Sequence, residues 1–177
     1  LLCHEGEFQP LLGELVLHKL DAVLADRPAP PNPALKTTSQ LLGTSAIAWY
    51  APARWAQAAR ANFPYSLAQV PLLLPTEHAA VRARINHWLE REHIRPHIAG
   101  EFEDSALLST FAASGMGVMP APASLGAHLA QTCALEWVGT TPDVHEQFHL
   151  IYSARKVMHP LLTRLLAAAA DEMLLNE

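Results

Sequence analysis

The residues best placed by type and spacing to do chemistry are His145-Glu146-Gln147-Phe148-His149. On a helix, histidines four positions apart share one face and can hold one zinc ion, while the glutamate activates water. The surrounding sequence predicts a strand instead. Pro142 lies three residues upstream, and Phe148 to Tyr152 is rich in apolar and aromatic side chains. In a strand the two histidines would stand ~13 Å apart, too far to share a metal. The nearest later acid is Asp171, in the terminal helix. The zinc hydrolase reading is therefore rejected, and both histidines are read as ordinary strand or loop residues. His93 and His97 are separated by Pro96, which breaks any common helical face. Gly115-Met116-Gly117 follows a helix and precedes a strand, the wrong context for a phosphate loop. No serine sits in a Gly-x-Ser-x-Gly turn. The chain is expected not to be an enzyme.

Composition narrows the class further. Half of the 177 residues are hydrophobic and 16% are charged, enough for a proper core and unlike a disordered segment. Twelve Lys and Arg against seventeen Asp and Glu give a net charge of -5. A surface gripping a DNA backbone carries clustered positive charge, so this chain is not expected to touch DNA itself. Cys3 and Cys133 form no CxxC pair and are expected to be reduced thiols. No apolar run approaches the ~18 residues of a membrane span, and the start lacks the regions of a signal peptide. The expected location is the cytoplasm, with no membrane partner. Leu1-Leu2-Cys3 reads as a strand already under way, so the sequence is expected to begin inside a domain.

Short apolar runs alternate with amphipathic stretches, which predicts an α/β protein with mainly parallel sheets. A first helix is expected over Phe8 to His18, then a buried strand over Leu20 to Ala25 and a proline loop over Pro28 to Pro33. Strand-like sequence fills Leu35 to Tyr50, and a short helix is expected over Ala53 to Phe63. Leu72-Leu73-Leu74-Pro75 is a strand, with Thr76 as the cap of a helix that buries Val81, Ile85, Trp88 and Leu89 and turns Arg82, Arg84 and Glu90 elsewhere. Pro96 to Phe102 is the next strand. Asp104 or Ser105 caps a helix burying Leu107, Leu108, Phe111 and Ala112, and Gly115-Met116-Gly117 ends it. Strands are expected at Val118 to Pro120, Ala134 to Val138 and Phe148 to Ser153, with a short helix starting at Ser124. A last helix, Pro160 to Leu174, is expected to bury Leu161, Leu162, Leu165, Leu166 and Ala169.

Three stretches carry a family pattern. Leu107-Leu108-Ser109-Thr110-Phe111-Ala112-Ala113-Ser114-Gly115-Met116-Gly117-Val118-Met119-Pro120 resembles the helix, Gly-x-Gly and strand-Pro of LysR-type transcriptional regulators. Leu20 to Asp26 is similar to a leucine-aspartate strand of their effector domain. Tyr152 to Lys156 with His159-Pro160 resembles its return strand and final helix. Cys3-His4-Glu5, Leu11-Leu12 with His18 to Asp21, and Gly100 to Leu107 are most similar to family members that regulate sodium/proton antiporter genes. The resemblance implies two Rossmann-like subdomains with a cleft between them, like periplasmic binding proteins of type II, with the first β-α unit truncated. Subdomain I would comprise 1–43 and 149–177, and subdomain II 44–148. It also implies a homodimer or higher homo-oligomer, paired through the helices Phe8 to His18 and Val81 to Trp88. Promoter DNA would be bound only through a winged helix-turn-helix that this chain lacks. The implied signal is sodium or lithium, and no other cofactor is expected.

In open α/β sheets, ligands bind beyond the carboxyl ends of strands. Those ends point to Glu5 and Gly6, to Asp26, to Thr76 and Glu77, and to Glu103 and Asp104 as effector contacts. Hard cations need several oxygen ligands, so Glu5, Glu103 and Asp104 are the expected sodium or lithium ligands, with Thr76 as a neutral donor. Each of these residues also suits plain helix capping. Two other classes compete: a solute-binding protein of a transport system, which shares the two-lobed plan, and the zinc hydrolase. An upstream winged helix-turn-helix would mark the regulator, and an upstream signal peptide the transport component.

Overall fold

The computed structural model describes residues 1–31, 36–153 and 160–174, with side chains as far as 169. Pro33, Leu35 and the Ala154 to His159 part of the family pattern lie outside the described residues. The chain divides into two compact units, Leu1–Thr44 with Gln147–Glu177, and Ser45–Glu146. The chain passes from one to the other inside two long strands, β2 (Thr37–Ala51) and β6 (Glu136–Ser153).

The first unit contains α1 (Phe8–Val16), β1 (Ala22–Ala25) and α6 (Pro160–Leu174). β1 pairs antiparallel with the end of β6, Val23 opposite Ile151 and Ala25 opposite His149. Because side chains alternate along a strand, Val23 and Ile151 share the face that closes over Leu12 and Leu15 of α1. Leu1 to Cys3 forms no strand; residues 1–7 lie outside regular structure and are exposed. A strand persists only when its backbone groups find a ladder partner, and no described strand runs beside these residues. In α6, Leu161 and Leu165 are exposed, and only Leu162, Leu166 and Ala169 are half-buried. The apolar stripe of this helix is narrower than its leucine content suggests.

The second unit is a three-layer α/β arrangement. β3 (Pro71–Pro75) and β4 (His97–Phe102) run parallel, and Val118 continues that direction by a parallel bridge to Leu72. β5 (Met119–Pro122) pairs antiparallel with β2, from Ile47 opposite Pro122 to Tyr50 opposite Met119. The sheets are thus less parallel than expected, because the two long connecting strands run against their neighbours. Alternation along β2 and β3 sorts the core into two faces. Trp49, Leu72 and Leu74 pack against α2 (Ala53–Arg60) and α3 (Ala80–Arg91). Tyr50 and Leu73 pack against α4 (Ser105–Ala113) and α5 (Gly126–Cys133). The buried Trp49 Nε1 donates to Thr141 Oγ1 at 2.9 Å, tying β2 to β6 inside this unit.

Several local expectations are revised. Thr76 does not cap α3; Ala79 stands at that position, and Thr76 instead accepts the Ala79 N–H through its backbone oxygen. The apolar stripe of α3, Val81, Ile85, Trp88 and Leu89, is buried in the unit's own core. On α4, Leu108 and Ala112 are buried while Leu107 and Phe111 are exposed. The two strands expected at Ala134 to Val138 and Phe148 to Ser153 are parts of the single strand β6. Its buried positions, Val138, Gly139, Thr141 and Val144 and then His149 to Ile151, do not alternate, which conceals the strand periodicity. His145 and His149 both lie in this strand, so the helix that a zinc protease requires is absent. Cys3 and Cys133 are free thiols.

Candidate functional site

Parallel pairing of β3 and β4 puts their carboxyl ends side by side, and the Thr76 N–H donates to the Phe102 carbonyl at 3.0 Å. Thr76, Glu77, Glu103 and Asp104 therefore meet at one edge of the second unit. Elsewhere in this unit, Ser45 Oγ in the middle of β2 accepts the Ser124 N–H at 3.2 Å.

Asp104 is the cap of α4. Its Oδ1 accepts from the N–H groups of Ala106 at 2.6 Å and Leu107 at 3.1 Å, satisfying two donors that a helix start leaves open. Oδ2 takes no part in the cap. Glu77 and Glu103 are exposed, and Thr76 is half-buried. Beneath the edge lies Arg82, whose side chain is only 5% exposed. Its Nη1 donates to the Pro75 carbonyl at 2.6 Å and to the Glu101 carboxylate, and its Nε donates to Asn86 Oδ1 at 2.9 Å. One guanidinium thus joins α3 to the ends of both parallel strands. Sequence reasoning placed Arg82 off the buried side of this helix, and charged side chains are rarely buried. Its spacing to Ile85 and Leu89, three and seven residues on, was the signal that places it inward.

The other expected contacts belong to the first unit. Glu5 and Gly6 are exposed and follow no strand, so the strand-end argument does not apply to them. Asp26 does follow β1. Its carboxylate receives Arg27 Nε at 2.8 Å and Nη2 at 3.2 Å, and the Arg27 guanidinium lies 5.4 Å from the Phe8 ring centre. The hydrogen bond to Asp26 raises Arg27 above its ordinary value against the opposing effect of burial. Among the described residues, no three His, Cys, Asp or Glu side chains are gathered in a way that could hold a metal ion. Among the same residues, no helix is long and apolar enough to cross a membrane.

Residues 2–174 match the family profile described as the LysR substrate binding domain. The transcriptional activator protein NhaR of Escherichia coli strain K12 is 25% identical over 165 residues, covering 93% of this chain and 54% of that protein. The nitrogen assimilation regulatory protein nac of the same organism is 27% identical over 180 residues, covering 98% of this chain and 54% of that protein. The chain therefore spans about half the length of the curated relatives it matches. Among solved structures, the cofactor-binding domain of the Cbl transcriptional regulator aligns with a TM-score of 0.72 at 17% identity. That match covers 91% of this chain and 70% of the other, and at this identity it shows the fold alone. The expected α/β plan, like that of periplasmic binding proteins of type II, stands.

Proposed function

The chain belongs to the LysR substrate-binding domain family, and on that premise we propose that it is the sensing part of a DNA-binding regulator that activates a sodium/proton antiporter gene when sodium or lithium rises. The family is one of transcriptional regulators and not of enzymes. The observation that supports the ion reading is that Thr76, Glu77, Glu103 and Asp104 follow the paired ends of β3 and β4, although their side chains are not gathered into a ready-made metal cluster. Hard monovalent cations favour such oxygen donors. The likeness to NhaR supports the same choice. Glu103 and Asp104 are the proposed carboxylate ligands within the second unit, and Glu5, in the first unit, is a separate candidate to be tested by itself. The transport reading has no comparable support, since the matched relatives are regulators. DNA contact falls to another part of the protein, because this chain carries a net charge of -5.

An ion can shift the regulator only if it binds one conformation better than the other. Reporter transcription against sodium at constant ionic strength should therefore flatten for Glu5→Gln and Asp104→Asn in the full-length protein, with basal promoter binding retained. Asparagine caps a helix about as well as aspartate, whereas Asp104→Ala forfeits ~1 kcal/mol of stability. The Asn variant thus removes charge without removing the cap. Unchanged curves for both charge variants would exclude these residues, and an equal response to potassium would exclude a specific ion site.

The proposed partner is a second copy of the chain, in a homodimer or higher homo-oligomer. In the second unit, Leu107 and Phe111 of α4 are among the exposed apolar residues and are proposed for that contact. Sedimentation of Phe111→Glu should shift towards smaller species, about tenfold weaker in association for a lost aromatic anchor. Identical profiles for variant and wild type would remove α4 from the interface.

A further inference from the structure

We infer that the second unit holds a binding site for a small, uncharged aromatic molecule bearing one hydrogen-bonding group, in a solvent-open pocket of about 580 Å³ between the end of β2, α5 and the start of β6. This inference does not rest on the ion reading, and the cavity is built from residues other than those of the carboxyl edge.

Size and wall chemistry set the ligand class. A volume of this order is typical of small-molecule sites, which are mostly apolar with a few placed polar groups. One wall is lined by Ala123, Gly126, Ala130 and Ala134, whose small side chains leave the space open. Trp137, 55% exposed, supplies an aromatic surface, and its Nε1 is held by Thr140 Oγ1 at 3.2 Å. Aromatic rings gain more from such a wall than aliphatic groups of equal area do.

The polar anchor is Tyr50. The residue is only 2% exposed, it lines the cavity, and its hydroxyl has no hydrogen-bond partner among the described residues. A Cβ built on Gly126 would come within 2.9 Å of that hydroxyl, so glycine is what leaves room around it. Burial raises the phenol above its ordinary value, which keeps it a neutral donor and acceptor. The hydroxyl faces the pocket, where a ligand's polar group can replace water as its partner.

Charge is already balanced. Arg60 Nη2 lies 2.8 Å from Glu136 Oε2, and its Nε donates to the Trp137 carbonyl at 2.7 Å. An anion would have to break this pair, and a cation would compete with Arg60 for Glu136. Uncharged ligands need do neither.

The test is fluorine NMR on the whole chain with two probes, 4-fluorophenol and fluorobenzene. 4-Fluorophenol should show saturable broadening and should move the Trp137 indole N–H resonance. Tyr50→Phe keeps the ring and should weaken 4-fluorophenol about fivefold, the ordinary effect of one neutral hydrogen bond, while fluorobenzene changes less than about twofold. Ala130→Leu fills the cavity from an exposed helical position and should abolish binding of both probes without disturbing the core. Absence of saturable binding overturns the inference. So does a 4-fluorophenol affinity that is the same in wild type and both variants, or an unmoved Trp137 resonance.

Discussion

Replacing Gly117 with alanine is expected to lower the unfolding free energy by about 3 kcal/mol. A Cβ at this position would lie 2.6 Å from the Pro71 carbonyl oxygen and 3.1 Å from its carbon. Backbone cannot swing aside as a side chain can. The strand start would have to move, and with it the Val118 N–H to Pro71 bond at 2.8 Å and the Leu73 N–H to Val118 bond at 2.9 Å. Those two bonds fasten the run after α4 onto β3. Gly115, two residues earlier, serves differently: its φ of +96° ends the helix in a conformation that other residues adopt at a cost. Gly13 is the control. It sits inside α1 with no atom near a would-be Cβ, so Gly13→Ala should stabilise by about 0.5–1 kcal/mol. Urea unfolding of the two variants decides the matter. A Gly117→Ala variant within 1 kcal/mol of wild type would show that β3 tolerates displacement there.

Glu101→Ala is expected to cost about 3 kcal/mol, and Arg82→Met only about 1 kcal/mol. The order runs against burial, because Arg82 is the more buried of the two, at 5% exposure against 47% for Glu101. Removing the arginine frees a half-exposed carboxylate that water can solvate, and methionine refills much of the volume. Removing the glutamate leaves a largely buried guanidinium without its carboxylate partner. Among the described residues, the Pro75 carbonyl and Asn86 Oδ1 remain as its neutral acceptors. Chemical denaturation of the two variants and of the double variant gives the coupling. A larger loss for Arg82→Met would mean that packing and not charge compensation dominates at this edge.

The two units' strands and helices were largely legible because apolar spacing reports which side of an element meets the core. Leu72-Leu73-Leu74 and the stripe Val81, Ile85, Trp88 and Leu89 are buried as their spacing predicts. The misreadings share a physical origin. Leu1-Leu2-Cys3 has strand composition, but a strand depends on a neighbour that composition does not report. Phe111 looks like core and is exposed, because α4 meets the sheet along a narrow line that contains Leu108 and Ala112. At the site, carboxylates beyond strand ends were readable from order along the chain, and parallel pairing brings Thr76 to Glu103 and Asp104 together. Arg82 and Tyr50 were not found that way. Their importance comes from what each meets across the fold: Glu101 for one, an open cavity for the other.

β2 carries a consequence of its own. Along Thr37–Ala51, every position up to Ala46 is exposed or half-buried, and every position from Ile47 to Ala51 is buried. Amide protons at the two ends of one ladder therefore report on different openings. Those in the exposed half can trade with solvent through brief local fraying, whereas those from Ile47 onward wait for a much larger part of the second unit to come apart. A single unbroken strand thus has two lifetimes, and the step between them lies within a few residues of Ser45.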